Sequence, residues 1–265
     1  MILRAPGCAA AERLRTSVAM AARAGELVEQ MIATHGGREL WRSAREVRVR
    51  VSAGGLAFAS KFQGSAVRDV EARVATDVQR VTFTPYRRPG QRGVLEPDGS
   101  VRIETDDGQV VARRERPRAA FADLRHKLWW DTLDILYFGT YAMWTYMSAP
   151  FVFAREDFAV RELGAWDEGG ERWRRLAVTY PASVHTHCAE QVFYADERGR
   201  IRRHDYTAEP IGARARAAHY CHGLREFDGL LLPVRREVFP RRGDNRPRAR
   251  PRLVWIDVWE GAIVR

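Results

Sequence analysis

The sequence predicts an α+β fold in which a strongly curved antiparallel sheet of about ten strands, a half-barrel, surrounds a central apolar helix. Three features support this prediction. Apolar and polar residues alternate with a period of two along most of the chain, which is typical of strands with one buried face. Residues 129–147 are apolar on nearly every side, and residues 10–34 have helical periodicity with one apolar face.

Composition places the chain among ordinary globular proteins. It has 265 residues, of which 45% are hydrophobic and 29% charged, so disordered and collagen-like classes are excluded. Cys8, Cys188 and Cys221 are too few and too scattered for a disulfide framework. No linker interrupts the pattern, and we therefore expect a single domain over residues 1–265.

The first half begins with the amphipathic helix, which we expect to end before Gly36-Gly37, and a short helical turn over 38–43. Period-two strands then follow at short intervals, with Gly-containing turns at 54–55, 89–90, 98–99 and 107–108. The expected strands contain Val47-Val49-Val51, Leu56-Phe58-Ser60-Phe62, Val70-Ala72-Val74, Val81-Phe83, Val101-Ile103 and Val110-Val111.

The central segment interrupts this rhythm. Residues 119–127 have a helical pattern, and no charge occurs between Ile135 and Ala154. That window is long enough to span a bilayer, but Gly139 and Pro150 lie within it and strands flank it on both sides. We therefore predict a helix in the concave face of the sheet and no membrane span.

The second half returns to strands, and it carries five of the seven histidines. The expected strands are 176–180, 184–194, 200–209, 217–227, 230–239 and 253–258.

The net charge and the amino-terminal sequence bear on the partners and the cellular location of the protein. The net charge is +10, with arginine clusters at 113–118 and 241–252. No motif of a nucleic-acid-binding domain accompanies them, and we expect no nucleic-acid partner. The first residues, MILRAPGCAAAERLR, have no apolar core of signal-peptide length because Glu12 and Arg13 interrupt it. A cytoplasmic location is therefore expected.

Several catalytic classes lack their usual signatures here. The sequence has no glycine-rich nucleotide loop, no H-E-x-x-H and no G-x-S-x-G. His185 and His187 would project to one side of a strand, as two metal ligands can, but a third and fourth ligand are not identifiable. We expect neither a metal nor a cofactor.

Turn chemistry tests which histidines share a face. Asp228-Gly229 is a two-residue hairpin signal that pairs Phe227 with Leu230, His219 with Val238 and Cys221 with Arg236, so that His219 points inward.

The preceding turn, residues 196–199, allows two registers. A three-residue loop groups Glu190 with His204 and Tyr206, whereas a four-residue loop groups His185 and His187 with them. The longer loop sets Glu190 against Asp205, a repulsive pair, and so the shorter loop is preferred.

The preferred register defines the candidate catalytic residues: Glu190, His204, Tyr206 and His219. In a buried, aromatic-lined cavity they would form an acid/base set. Alternatively, they satisfy one another in a structural hydrogen-bond network. The candidate ligand-contacting residues are the aromatic side chains of the central segment together with one histidine, namely Trp129, Tyr137, Tyr141, Trp144 and His187.

The chain resembles the lipoprotein-carrier (LolA/LolB-like) half-barrel fold. The resemblance rests on HGGRELW at 35–41, the valine-alternating strands, the apolar central helix, YADERGRIRRHDYTAEPIG at 194–212 and REFDGLLLPVRREV at 225–238. Similar stretches occur in uncharacterised bacterial proteins, and the chain is assigned to a cytoplasmic branch of that kind.

The resemblance implies a cavity that holds a lipid or another apolar molecule, and at least one protein of similar fold is a cofactor-free enzyme. We therefore expect binding of an apolar or aromatic small molecule. The alternative is a cofactor-independent cyclase, isomerase or dehydratase of specialised metabolism. The sequence leaves the oligomeric state open.

Overall fold

The computed structural model describes the backbone of residues 6–265 and the side chains from residue 20 onward. The helices are α1 (Pro6–Thr34), α2 (Gly37–Ser43), α3 (Leu56–Ala59), α4 (Pro117–Ala120), α5 (Leu124–Leu128) and α6 (Thr132–Ser148), followed by a 3-10 turn at Phe151–Ala154. The strands are β1 (Glu46–Gly54), β2 (Val67–Ala75), β3 (Val81–Thr84), β4 (Gln91–Leu95), β5 (Val101–Thr105), β6 (Val110–Arg114), β7 (Ala159–Glu168), β8 (Glu171–Thr179), β9 (Glu190–Ala195), β10 (Ile201–Thr207), β11 (Arg216–Phe227), β12 (Leu230–Pro240) and β13 (Val254–Val264).

All of these strands belong to one open antiparallel sheet. Its order is β6-β5-β4-β3-β2-β1-β13-β12-β11-β10-β9-β8-β7. The two halves of the chain are therefore two meanders, which meet where the first strand pairs with the last along Glu46↔Val264 to Gly54↔Trp255. Strands β6 and β7 are the free edges.

The sheet curves around α6, as its contacts demonstrate. Leu136 of α6 lies against Gly93 in β4, and Tyr146 of the same helix lies 4.7 Å, ring to ring, from His219 in β11. Six strand spacings separate β4 from β11, which is about 29 Å in a flat sheet. A helix is only about 10–12 Å wide. The sheet must therefore bend for one helix to contact both strands.

The sequence defines both ends of α6. At the start, the Asp131 carboxylate accepts hydrogen bonds from the backbone of Leu133 and Asp134, and Asp134 accepts one from the backbone of Asp131. This reciprocal arrangement is a capping box. Ala149 and Pro150 end the helix, since proline cannot continue it. Between these ends, 15 of the 17 residues are buried, as predicted for a helix inside the sheet.

Three predictions need correction. Over residues 6–265 the sheet has 13 strands and not about ten. Residues 56–62 were predicted as a strand, but α3 occupies 56–59, and its Ala57 N–H bonds to the Leu253 carbonyl beside the sheet. Residues 184–189 lie outside the sheet, so β9 starts only at Glu190. Strands β4 and β7 were not predicted, because β4 carries only two apolar side chains and β7 is a largely exposed edge.

The turn at residues 196–199 has the preferred loop length, but the strand pairing beyond it differs from both predicted alternatives and brings His187 together with Tyr206, as the longer loop predicted. The turn closes as a three-residue loop, with the Asp196 N–H bonded to the Arg200 carbonyl. A bulge between Ile201 and Arg203 then shifts the pairing, so that His204 lies opposite Phe193 and Asp205 opposite Val192. This one-residue shift reverses the faces. The grouping of Glu190 with His204 was therefore wrong, and the like-charge contact used to choose it is also absent.

The first helix ends where the sequence predicts. Val28, Met31 and Ile32 are buried, and the chain leaves α1 through Gly36, whose φ of 127° is open to glycine alone. The side chains of Leu14 and Val18, two apolar residues of the predicted helix, lie outside the described residues, as does that of Cys8.

We predict that Gly93→Ala destabilises the protein by about 1–3 kcal/mol, because the new Cβ would overlap Leu136 and lie 2.9 Å from the Tyr86 ring. Denaturant unfolding measures this cost. The matched control is Gly25→Ala inside α1, where nothing lies within 4 Å of the added atom. It should raise stability by about 0.5–1 kcal/mol. Equal effects of the two substitutions would contradict the proposed close packing of α6 on β4.

Candidate ligand-binding site

A cavity of about 340 Å³ lies between α6 and the concave face of the sheet. This volume falls within the usual range for small-molecule sites. Its walls are almost entirely apolar. The helix contributes Phe138, Ala142, Met143 and Tyr146, and the sheet contributes side chains from β1, β2, β3, β10, β11, β12 and β13. We call this space the main cavity.

Small residues at facing positions leave the main cavity open. Gly139 and Ala142 lie on the helix side, and Ala53 and Ala217 lie on the sheet side. A Cβ at Gly139 would already approach the Phe83 ring to 3.2 Å. The helix therefore packs closely against the sheet at Gly139. Next to this contact a gap remains between helix and sheet, because the alanine side chains there are too small to fill it.

Two tyrosines border the main cavity, and their hydroxyls belong to a hydrogen-bonded chain. The Tyr141 hydroxyl is 3.1 Å from His187 Nδ1, and His187 Nε2 is 3.0 Å from the Tyr146 hydroxyl. That hydroxyl is 3.4 Å from the Tyr206 hydroxyl. The His187 and Tyr206 rings also stack at 4.0 Å. Among the described residues, Tyr146, Tyr206 and Ser60 are those with polar side-chain groups that border the main cavity.

Two more histidines lie behind Tyr146. His204 Nε2 is 2.5 Å from Gln191 Oε1, and its ring stacks on Phe193 at 4.1 Å. The His219 ring meets Tyr146 edge-on at 4.7 Å, and neither of its nitrogens has a hydrogen-bond partner among the described residues. Both histidines are fully buried and face inward. For His219 this confirms the hairpin prediction, including its pairing with Val238.

Burial keeps these groups neutral. Desolvation lowers the pKa of His187 to about 3 and the pKa values of His204 and His219 well below the ordinary value. The same cause raises the pKa of Tyr146 to about 12. A general acid or base works best with a pKa near the ambient pH. Because these pKa values lie far from 7 in both directions, the cluster is better suited to fixed hydrogen bonding than to proton exchange.

The structure brings together only part of the predicted catalytic set. Tyr206, His204 and His219 lie on one face around Tyr146, but Glu190 is exposed and points away from them. Glu190 is therefore not part of the buried cluster.

None of the five predicted ligand-contacting residues borders the main cavity. His187 and Tyr141 lie one step behind the cavity wall, and Tyr137 bonds to His185 at 2.8 Å beside a separate pocket of about 250 Å³. Trp144 donates to the Val78 carbonyl and does not border the main cavity. Trp129 precedes α6, is 37% exposed and lies under the Arg125 guanidinium.

Sequence reasoning selected the wrong face of α6 because it favoured large aromatic side chains. The cavity instead follows the small ones, Gly139 and Ala142, with Met143 and Tyr146 beside them. Their spacing of three to four residues places them on one helix face. That spacing was the available signal in the sequence.

Two absences apply to the part of the chain that is described. No helix there is both long and apolar enough to cross a bilayer. Within residues 20–265, no three His, Cys, Asp or Glu side chains are grouped as metal ligands would be.

Comparison with solved structures supports the predicted fold. A putative outer membrane lipoprotein-sorting protein domain from Vibrio parahaemolyticus is similar with a TM-score of 0.52 at 9% identity, over 92% of this chain and 93% of that one. This likeness confirms the lipoprotein-carrier-like fold; the assignment to a cytoplasmic branch stays a prediction.

Two further structures are similar at lower scores. A LolA superfamily protein from Nitrosomonas europaea has a TM-score of 0.49 at 13% identity, over 87% of this chain and 90% of that one. A DUF1329 family protein from Desulfovibrio piger has a TM-score of 0.48 at 12% identity, over 91% and 92%. No family model and no curated protein matches the sequence.

We predict that stability falls steeply with acidification. The unfolded chain takes up protons on histidine below a pH of about 6.5, whereas folded His187 stays neutral down to about 3 and His35 down to about 4. The stabilisation is therefore complete above pH 6.5 and is lost as the pH falls towards 4. Each such imidazole contributes about 1.4 kcal/mol per pH unit.

Urea unfolding at several pH values between 7 and 4.5 measures this slope. His187→Gln should reduce the slope of the free energy of unfolding against pH by nearly 1.4 kcal/mol per pH unit, which corresponds to the uptake of about one proton. His222→Gln, on the exposed outer face, should change it less and serves as the control. A wild-type free energy of unfolding that did not fall below pH 6.5 would contradict the burial of neutral imidazoles.

Proposed function

We propose that the protein binds an apolar or aromatic small molecule in the main cavity, with a polar group of the ligand at the hydroxyls of Tyr146 and Tyr206. The observation that carries this proposal is an apolar space of about 340 Å³ inside the sheet. A core normally packs to crystal-like density, and empty apolar volume costs stability. A ligand that fills this space would restore the lost contacts.

The enzymatic alternative has less support. It would use His204, His219 or Tyr206 as acid or base, but the pKa directions keep the imidazoles unprotonated and the hydroxyls protonated near pH 7. Its remaining support is that Tyr206 borders the cavity and could donate a hydrogen bond to a ligand. Binding therefore remains the favoured function.

We predict that Ala142→Phe reduces the affinity for an uncharged apolar probe such as Nile red by tenfold or more, because the phenyl ring would occupy the space next to Met143 and Tyr146. Fluorescence titration measures the affinity. Because the new ring enters existing space, we expect the variant to fold, with a loss of stability no larger than the roughly 1–3 kcal/mol that is typical of enlarged core side chains.

The control is Ala122→Phe, at an exposed position outside the main cavity. It should leave the Nile red affinity unchanged. The proposal fails if wild type does not bind the probe, or if both substitutions weaken binding equally.

A further inference from the structure

Arg236 is a buried arginine next to the main cavity. It lies on the concave side of β12, opposite Cys221 of β11 and Ile256 of β13, and it is only 5% exposed. Its guanidinium lies over the Tyr146 ring at 4.9 Å. Ile256 and Tyr146 both border the main cavity, as does Val238, two residues further along the same strand.

The charge of Arg236 has no carboxylate partner among residues whose side chains are described. Its Nη2 donates to the Tyr146 carbonyl at 3.2 Å and its Nη1 to Cys221 Sγ at 3.4 Å, while the buried Nε has no partner. The carbonyl belongs to the last turn of α6, where the helix dipole offers only part of a negative charge. The neighbouring His35, His204 and His219 are neutral because burial lowers their pKa values.

The other buried arginine of the described residues has the opposite environment. Arg203 is completely buried on the outer side of the sheet, and it bonds to Asp205 at 2.7 Å and to Glu168 at 2.7 Å. Buried charges are normally paired in this way, since an unpaired one loses its hydration without a compensating attraction. Arg236 is the exception.

A small void of about 10 Å³ lies beside Arg236 and is also lined by His35, His204 and Tyr146. It has room for one water-sized group. Tyr146 borders both this void and the main cavity, whereas Arg236 borders only the void. A head group that enters from the main cavity must therefore displace the Tyr146 side chain to pair with the guanidinium, which lies 4.9 Å from that ring.

We propose that the ligand is an amphiphile with a carboxylate head, whose apolar part fills the main cavity and whose carboxylate pairs with Arg236. This inference rests on the proposed function and specifies its ligand class. A carboxylate is a small anionic head that matches a guanidinium with two parallel hydrogen bonds. It supplies the negative charge that the surrounding side chains lack.

The test compares two ligands of equal chain length, decanoate and decanol, by isothermal titration calorimetry at pH 7.5. Wild type should bind decanoate about 10- to 100-fold more tightly, which is the range expected for hydrogen bonds to a charged group. Arg236→Met should remove this preference and leave the decanol affinity within about twofold, because decanol does not use the charge. Arg236→Lys should retain part of the preference.

Arg236→Met is expected to fold, since replacing a buried charge with an apolar side chain of similar length is often neutral or stabilising. The matched control is Arg235→Met on the same strand. Arg235 is exposed on the outer face beside Glu237, and its loss should leave the preference for decanoate intact.

The outcomes separate this inference from the proposed function. Decanol binding without a preference for decanoate in wild type would overturn the role of Arg236 and leave the proposed function standing. Equal loss of preference in Arg235→Met and Arg236→Met would also overturn it, because general surface charge would then explain the effect. If neither decanol nor Nile red binds, the proposed function itself fails, and this inference falls with it.

Discussion

The burial of α6 is the constraint on which the rest of the structure depends. A helix with 15 of its 17 residues buried has no polar face that could be exposed to solvent. It is stable only if other parts of the protein cover it on all sides. One layer of sheet does this by curving, so that strands from β4 to β11 contact the same helix. The capping box at Asp131 and Asp134, which Arg114 pairs with from β6, anchors the start of the helix at the free edge of the sheet.

Enclosure by a single layer also determines the electrostatics of the interior. Polar groups on the concave face cannot reach water, and they must bond to one another or stay neutral. The side chains of Tyr141, His187, Tyr146 and Tyr206 bond to one another in a chain. His219 has no hydrogen-bond partner among the described residues and stays neutral. Two positive charges lie next to this neutral cluster. Arg118 donates to the His187 carbonyl and pairs with Glu209, whereas Arg236 lies over the Tyr146 ring and has no carboxylate partner among the described side chains.

Local sequence signals predicted the helix and the hairpin, but not the details of the site. Asp228-Gly229 determines its turn within two residues, and the pairing of Phe227 with Leu230 follows directly. The bulge before Arg203 has no such local signal, because the bonds from Arg203 to Glu168 and to the Asn245 carbonyl that accompany it come from distant segments. The bulge reverses the faces of the strand pair and so places Glu190 outside the buried histidine and tyrosine cluster. The face of α6 that borders the cavity was equally hidden, since a helix that is apolar on every side has no polar face from which its orientation could be deduced.

The position of the main cavity follows from how the two meanders meet. Its sheet wall includes Ala53 of β1 and Ile256 of β13, the two strands that join the halves of the chain. It also includes Phe83 from the first meander and Ala217 from the second. A ligand in this position would contact both halves and α6 at once. Since a ligand that binds only the folded state stabilises it, occupancy would strengthen the one place in the described sheet where neighbouring strands, β1 and β13, are not consecutive in the chain.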